Sequence, residues 1–346
     1  MSSDRVRAPA LTSFVVASRY VPVYVALLLL LIVASIWAPA TLSGVAVRGI
    51  APYGAVLGLA ALGQMLVIMT GGIDLSVPGT MSLAAVIMVG VGDGSNENIW
   101  IAIATAIAVA ALIGLVNGLL IGALKLNALI TTLAVGLIVA GVVNRYASTF
   151  PVQSRVPPGL SDWISTRVFG VSPVFWTGVG LTIVLIVGLR YTAVGRRFQA
   201  VGANPIASRV VGVQVTLNQI LVYVVAAVFY AIAGVALAGL LRNPGVGAGT
   251  TYLLGPIAAV VIGGASLTGG LASPLSTFVA ALFLTGLNQM LRVMGLPTSL
   301  QFVVFGLVII GGMLVSGDRI IRGVEQLLRE RRRPGDPHTQ TVPGPM

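Results

Sequence analysis

The sequence predicts an all-α polytopic membrane protein of about ten transmembrane helices, with two glycine-interrupted segments forming an internal repeat. Three observations carry that prediction. First, 57% of the 346 residues are hydrophobic and 8% charged, with a mean hydropathy of +1.01; soluble domains carry about 25% charged residues. Second, apolar runs fall at about 21–38, 49–70, 73–92, 99–122, 127–147, 171–189, 217–241, 252–268, 273–293 and 297–316. Most have the length a bilayer-crossing helix needs, about 17–25 residues. Third, the basic residues alternate with these runs. With the N-terminus inside, 14 of the 20 Lys and Arg residues fall inside, and Arg48, Arg145, Arg155, Arg167, Arg242 and Arg292 fall outside. This positive-inside bias places both termini in the cytoplasm. The net charge of +11 therefore orients the chain in a lipid bilayer and is not a nucleic-acid footprint.

Along the chain, residues 1–20 read as a cytoplasmic N-terminal segment. The first run exceeds the 7–15 residues of a signal-peptide core, so the Ala38-Pro39-Ala40 sequence is passed over and an uncleaved span is expected. The membrane domain covers 21–316, and 317–346 reads as a basic, partly disordered cytoplasmic tail. In the outward loop 148–170, Pro151, Pro157 and Pro158 favour extended or turn structure. Trp163 there suits a membrane-interface anchor or a partner contact.

The segment 69–82 is the chemical centre. Asp74 is the only acid among the apolar runs; the other eight lie in tails or polar connectors. An acid at the centre of a membrane helix costs roughly 2.5–3.5 kcal/mol on insertion scales. Gly71 and Gly72 weaken the preceding helix, and Pro78 suits the first turn of a new one. Asp74 or Ser76 then sits where exposed N–H groups and the helix dipole favour negative charge. The segment reads as a broken membrane helix, with a cytoplasmic turn carrying an ordinary N-cap as the competing reading. Irregular backbone at membrane depth is tolerated against protein or a water-filled cavity.

An echo appears at 263–270, where Gly263, Gly264, Ser266, Gly269 and Gly270 repeat the glycine pattern and Pro274 follows. Asn117 and Asn288 give a second pairing, and Gly136 and Gly141 pair with Gly306 and Gly311. Paired glycine-interrupted segments in two halves point to a central transport pathway. Candidate pathway residues are Asp74, Ser76, Gln64, Asn117, Ser266 and Asn288. For Asp74, capping its own half-helix competes with substrate contact. Glycines elsewhere in the spans read as helix-packing contacts.

The inward loop 190–216 is orderly. Asn204 is a good N-cap, Pro205 a good first helical residue, and Gly212 a good stop, so a helix of about two turns is expected between them. Ile206, Val210 and Val211 make its apolar side, with Ser208 and Arg209 elsewhere on its surface. Such a helix can dock into a partner's groove or lie on lipid headgroups.

Several chemistries have no residues to support them. No cysteine is present and the one histidine, His338, lies in the tail, which excludes disulfides, thiolate chemistry, histidine triads and cysteine or multi-histidine metal sites. The only lysine, Lys125, is not in a phosphate-binding loop. The chain is therefore not expected to be an enzyme.

Three motifs resemble the ribose-type (simple-sugar) permeases of ABC transporters, within the branched-chain amino acid/ribose permease superfamily. They are Gly-Gly-Ile-Asp-Leu-Ser-Val at 71–77, Gly-Ala-Asn-Pro-Ile-Ala-Ser-Arg-Val-Val-Gly-Val at 202–213, and Gly-Gly-Ala-Ser-Leu-Thr-Gly-Gly at 263–270. They occur in the family's order, and the likeness covers roughly 20–316. It implies an importer subunit of the bacterial inner membrane. The same likeness implies a second permease subunit, a twin-cassette ATPase that binds ATP and Mg, and a periplasmic sugar-binding protein. It also implies that the segment with Arg196, Arg197, Asn204, Pro205, Ser208, Arg209 and Gly212 meets the ATPase. The chain departs from the family at Pro78, where glycine is common, and after Gly270, where Leu-Ala-Ser-Pro replaces a glycine-rich run. Permeases for nucleosides and branched-chain amino acids share the superfamily, and an ion-coupled secondary carrier is the rival mechanism.

Overall fold

The computed structural model describes residues 19–149 and 154–316. The expected tail 317–346 and all but the last two residues of the N-terminal segment lie outside the described residues. Each apolar run yields helix, in chain order: α1 (Val21–Trp37), α2 (Gly44–Met69), α3 (Val77–Gly90), α4 (Ile99–Gly118), α5 (Ala128–Ala147), α6 (Pro158–Ser165), α7 (Pro173–Tyr191), α8 (Ala193–Ala203), α9 (Pro205–Val210), α10 (Val215–Leu241), α11 (Gly255–Ile262), α12 (Pro274–Val293) and α13 (Thr298–Ser316). No β-strand occurs among the described residues. Six helical segments are long and apolar enough to cross a membrane, and four shorter apolar helices fall on the remaining runs.

The boundaries depart from the apolar runs where polar groups intervene. α2 starts at Gly44, five residues before the expected 49, because the Ser43 hydroxyl accepts the Ala46 N–H at 3.2 Å and caps it; Arg48 hides that start from a hydropathy reading. α3 begins only at Val77, since 72–76 have no regular secondary structure. The run 252–268 keeps just eight α-helical residues, α11, before the second break at 263–273. The proline-rich outward loop contains α6, with Pro158 in its first turn, where a missing N–H costs nothing. Leu160 and Ile164 are buried there, and Trp163 is half-exposed.

Two helices organise the packing. α2 is buried on all sides from Gly58 to Met69, as expected of a helix that is apolar all round. It is enclosed by α7, α10, α11 and α12, while α10 packs on α2, α3 and α4. Small residues allow these close approaches. A Cβ at Gly118 would stand 2.7 Å from Ile220 Cα, and one at Gly63 would stand 2.8 Å from Ala226 O. The expected role of the span glycines as packing contacts is met at these positions.

Candidate functional site

The first break is a short irregular segment enclosed by protein. α2 ends at Met69 and Gly71 turns the chain at φ +82°. Residues 72–76 then run back beside α2 to the level of Gln64, about 7–8 Å up the axis at 1.5 Å per residue. α3 starts from there as a half-length helix. The break is enclosed by protein and is not an exposed turn.

Irregular backbone inside a bundle needs partners for its N–H and C=O groups, because no neighbouring strand supplies them. Side chains from α2 and α5, with Asp74 itself, do so. With its amide oriented by its partners, Gln64 donates from Nε2 to the Asp74 carbonyl and to Tyr230 Oη, and accepts the Asp74 N–H at Oε1, each at 3.1 Å. Thr132 on α5 accepts the Leu75 N–H at 2.9 Å, donates to Ala128 O at 2.8 Å, and lies 3.3 Å from Ile73 O. Asp74 Oδ1 accepts the Ser76 N–H at 2.8 Å and the Ser76 hydroxyl at 2.6 Å. Asn117 on α4 donates from Nδ2 to Ser76 Oγ at 3.0 Å.

Asp74 thus closes an aspartate-initiated turn on Ser76, the residue that leads into α3. Gln64 and Asn117 are 0% exposed, and Asp74 and Ser76 1%. Four of the six expected pathway residues are therefore one buried network that holds the break in shape. Tyr223 closes it from α10: a Cβ at Gly72 would stand 2.5 Å from Tyr223 Oη. Asp74 Oδ2, Asn117 Oδ1 and Tyr223 Oη are buried with no hydrogen-bond partner. The network contains no basic side chain.

Ser266 and Asn288 do not join it. Ser266 is buried in the second break, where its hydroxyl pairs with Thr268 at 2.8 Å and its N–H with Leu271 O at 2.9 Å. Asn288 is half-buried on α12. The two asparagines also sit at non-equivalent places: Asn117 is on the second helix after the first break, Asn288 on the first helix after the second. The glycine motif itself does recur as two turns. Gly264, Gly269 and Gly270 share with Gly71 the left-handed φ, which a side chain disfavours, while Gly72 and Gly263 do not. Composition did not single out Thr132, Tyr223 and Tyr230. The available signal was a tyrosine hydroxyl within an apolar span, which needs a partner when buried.

The inward segment folds as its caps predict. Asn204 Oδ1 accepts the Ile206 and Ala207 N–H groups at 3.0 Å each, and Pro205 opens α9. At the far end, Val213 N donates to Ser208 O at 2.9 Å and Gly212 N to Arg209 O at 3.1 Å. That is the Schellman pattern, with Gly212 at φ +82°. Arg196, Arg197, Asn204, Pro205 and Arg209 are exposed. Ser208 is not on the surface as expected; it is 4% exposed because it faces the body of the protein. Ile206, Val210 and Val211 are 76%, 83% and 76% exposed, a bare apolar face on the segment between α7 and α10.

The fold and these motifs agree with the comparisons to known proteins. The profile of the family described as branched-chain amino acid transport system/permease component matches residues 46–313. A ribose import permease protein of Escherichia coli is 32% identical over 75% of this chain and 81% of its own length. The Bacillus subtilis ribose import permease protein is 32% identical over 85% of this chain and 91% of its own. An L-arabinose transport system permease protein of Escherichia coli is 31% identical over 82% and 86%. No solved structure matches. The chain belongs to the branched-chain amino acid transport system/permease component family, and it is a multi-pass membrane permease subunit of the ABC-importer kind.

Proposed function

We propose that the chain moves a monosaccharide or related polyol through the bacterial inner membrane, with both termini cytoplasmic. A periplasmic binding protein delivers the sugar, and two permease subunits form the pathway. An ATPase with twin cassettes, carrying the ATP and Mg that this chain does not bind, docks on the exposed face of α9. The similarity to ribose and L-arabinose permeases supports the sugar class. The observation that carries the mechanism is the bare apolar face of Ile206, Val210 and Val211. It sits on a doubly capped helix flanked by Arg196, Arg197 and Arg209. A short amphipathic helix of this kind suits a hydrophobic groove on a partner.

In this reading Asp74, Ser76, Gln64 and Asn117 fix the shape of the segment beside the pathway, and Ser266 and Asn288 serve the second half. The test is to purify the binding protein encoded with this permease and identify its bound ligand by mass spectrometry. A pentose, hexose or polyol is expected; a nucleoside or branched-chain amino acid would refute the sugar assignment. Uptake driven by an ion gradient through the purified chain alone would refute the ATP-driven mechanism.

A further inference from the structure

The end of α8 lies directly against both breaks. The Gly202 main chain packs on the carbonyl oxygen of Met69, the last residue of α2. A Cβ there would overlap that oxygen and stand 2.9 Å from Gly270 N. The same Met69 oxygen accepts the Gly270 N–H at 2.8 Å. From the other side, a Cβ at Gly269 would stand 2.7 Å from Gly202 O and 3.2 Å from Gly71 N. Three stretches of backbone therefore meet with no side chain between them: the end of α8, the turn closing α2, and the second break. Close-packed main chain has no rotamer with which to absorb a displacement. Gly202 is two residues before Asn204, the cap of α9, and its neighbour Val201 is fully buried.

We infer that Gly202 is a positioning residue that carries any displacement of the α9 docking face to both breaks at once, the three backbones moving as one rigid unit. This rests on the reading of α9 as the ATPase contact. It adds a route: coupling runs through main chain at a single glycine, and the two breaks respond together because Met69 O joins them. A glycine that merely permits packing would, when replaced, lower stability without changing the response of the breaks to nucleotide.

The chain has no cysteine, so Leu267→Cys, at an exposed position in the second break, gives a single maleimide target. In membranes that also hold the ATPase of the same transport system, Mg-ATP is expected to change its labelling rate by about threefold or more, within the usual range of such couplings. No change on adding Mg-ATP overturns the inference. Gly202→Ala in that background is expected to abolish the ATP response while the ATPase still co-purifies; a response kept in full overturns the relay. Val210→Glu separates the two claims. Loss of the ATPase from the pull-down supports docking on α9, and its retention refutes docking there regardless of the Gly202 result.

If Gly202→Ala fails to insert, the pair Ala203→Cys and Gly270→Cys decides. Their Cβ atoms would start 3.2 Å apart, near the roughly 3.5–4.5 Å of a disulfide. A rigid unit tolerates that bond, so ATP hydrolysis by the oxidised complex stays within about twofold of the reduced one. A larger drop that reductant reverses means the junction opens during the cycle, and the relay is wrong.

Discussion

Replacing Gln64 with Met tests whether the break is held by side chains standing in for a missing strand. Methionine keeps the length and much of the volume of glutamine, so packing loss is small. What disappears is three hydrogen bonds, each at 3.1 Å: two to the backbone of Asp74 and one to Tyr230 Oη. The Asp74 N–H and C=O are then left unpaired at 1% exposure. A buried polar group without a partner costs about 1–3 kcal/mol, so these two alone cost about 2–6 kcal/mol, before the loss at the Tyr230 hydroxyl is added. Asn117→Ala is the comparison, because it removes one bond between side chains and leaves Ser76 bonded to Asp74. Interhelical side-chain bonds in membrane proteins average about 0.6 kcal/mol. Thermal unfolding of the purified protein in detergent reads the difference, at about 2–4 °C per kcal/mol for chains of 150–250 residues and less for longer ones. Gln64→Met is expected to lower the midpoint several times further than Asn117→Ala. Equal shifts would mean that the Asp74 backbone finds other partners, and the reasoning would fail.

Thr132→Val, near-isosteric but without the hydroxyl, strips the Leu75 N–H of its acceptor and should cost about 1–3 kcal/mol in the same assay. Asp74→Asn retains an oxygen that can accept both Ser76 bonds, and asparagine caps about as well as aspartate, so stability should change by less than about 1 kcal/mol. Asp74→Ala should cost about 1–2 kcal/mol, and uptake of the ligand found on the binding protein should persist in the asparagine variant. Asn204→Ala removes the acceptor for two N–H groups and should destabilise α9 by about 0.5–2 kcal/mol. A pull-down should show weaker ATPase association with normal membrane insertion.

What the sequence reveals is set by how local each cause is. The ends of α9 were legible because Asn204, Pro205 and Gly212 act on backbone within three residues of themselves. The break was legible because Gly71, Asp74 and Pro78 each alter the chain where they stand. The partners of the break were not. Thr132 lies 57 residues from Leu75, whose N–H it accepts, and Tyr230 lies 166 from Gln64. A hydroxyl in an apolar helix looks the same whether it bonds its own carbonyls or another element. Ser208 was misplaced for a related reason: α9 is too short for periodicity to distinguish its buried side. The pairing of Asn117 with Asn288 matched letters on helices of different order, which only connectivity in space could expose.

The setting of Asp74 also bears on how transport is driven. Both hydrogen bonds it accepts, from the Ser76 N–H and hydroxyl, converge on Oδ1, and they fix the start of α3. Oδ2, like Asn117 Oδ1 and Tyr223 Oη, is buried without a hydrogen-bond partner. A cation-coupled carrier needs its acid to meet water on one side of the membrane and then the other, yet Asp74 is 1% exposed, with its backbone bonded to Gln64 on α2. An acid committed to the turn that starts a half-helix is poorly placed to act as a shuttle. The exposed surface lies elsewhere, at α9 and its C-cap, where Ile206, Val210 and Val211 are bare. A sealed acid and an exposed α9 fit the proposed division of labour, in which motion originates in another chain and reaches the membrane subunit through that helix.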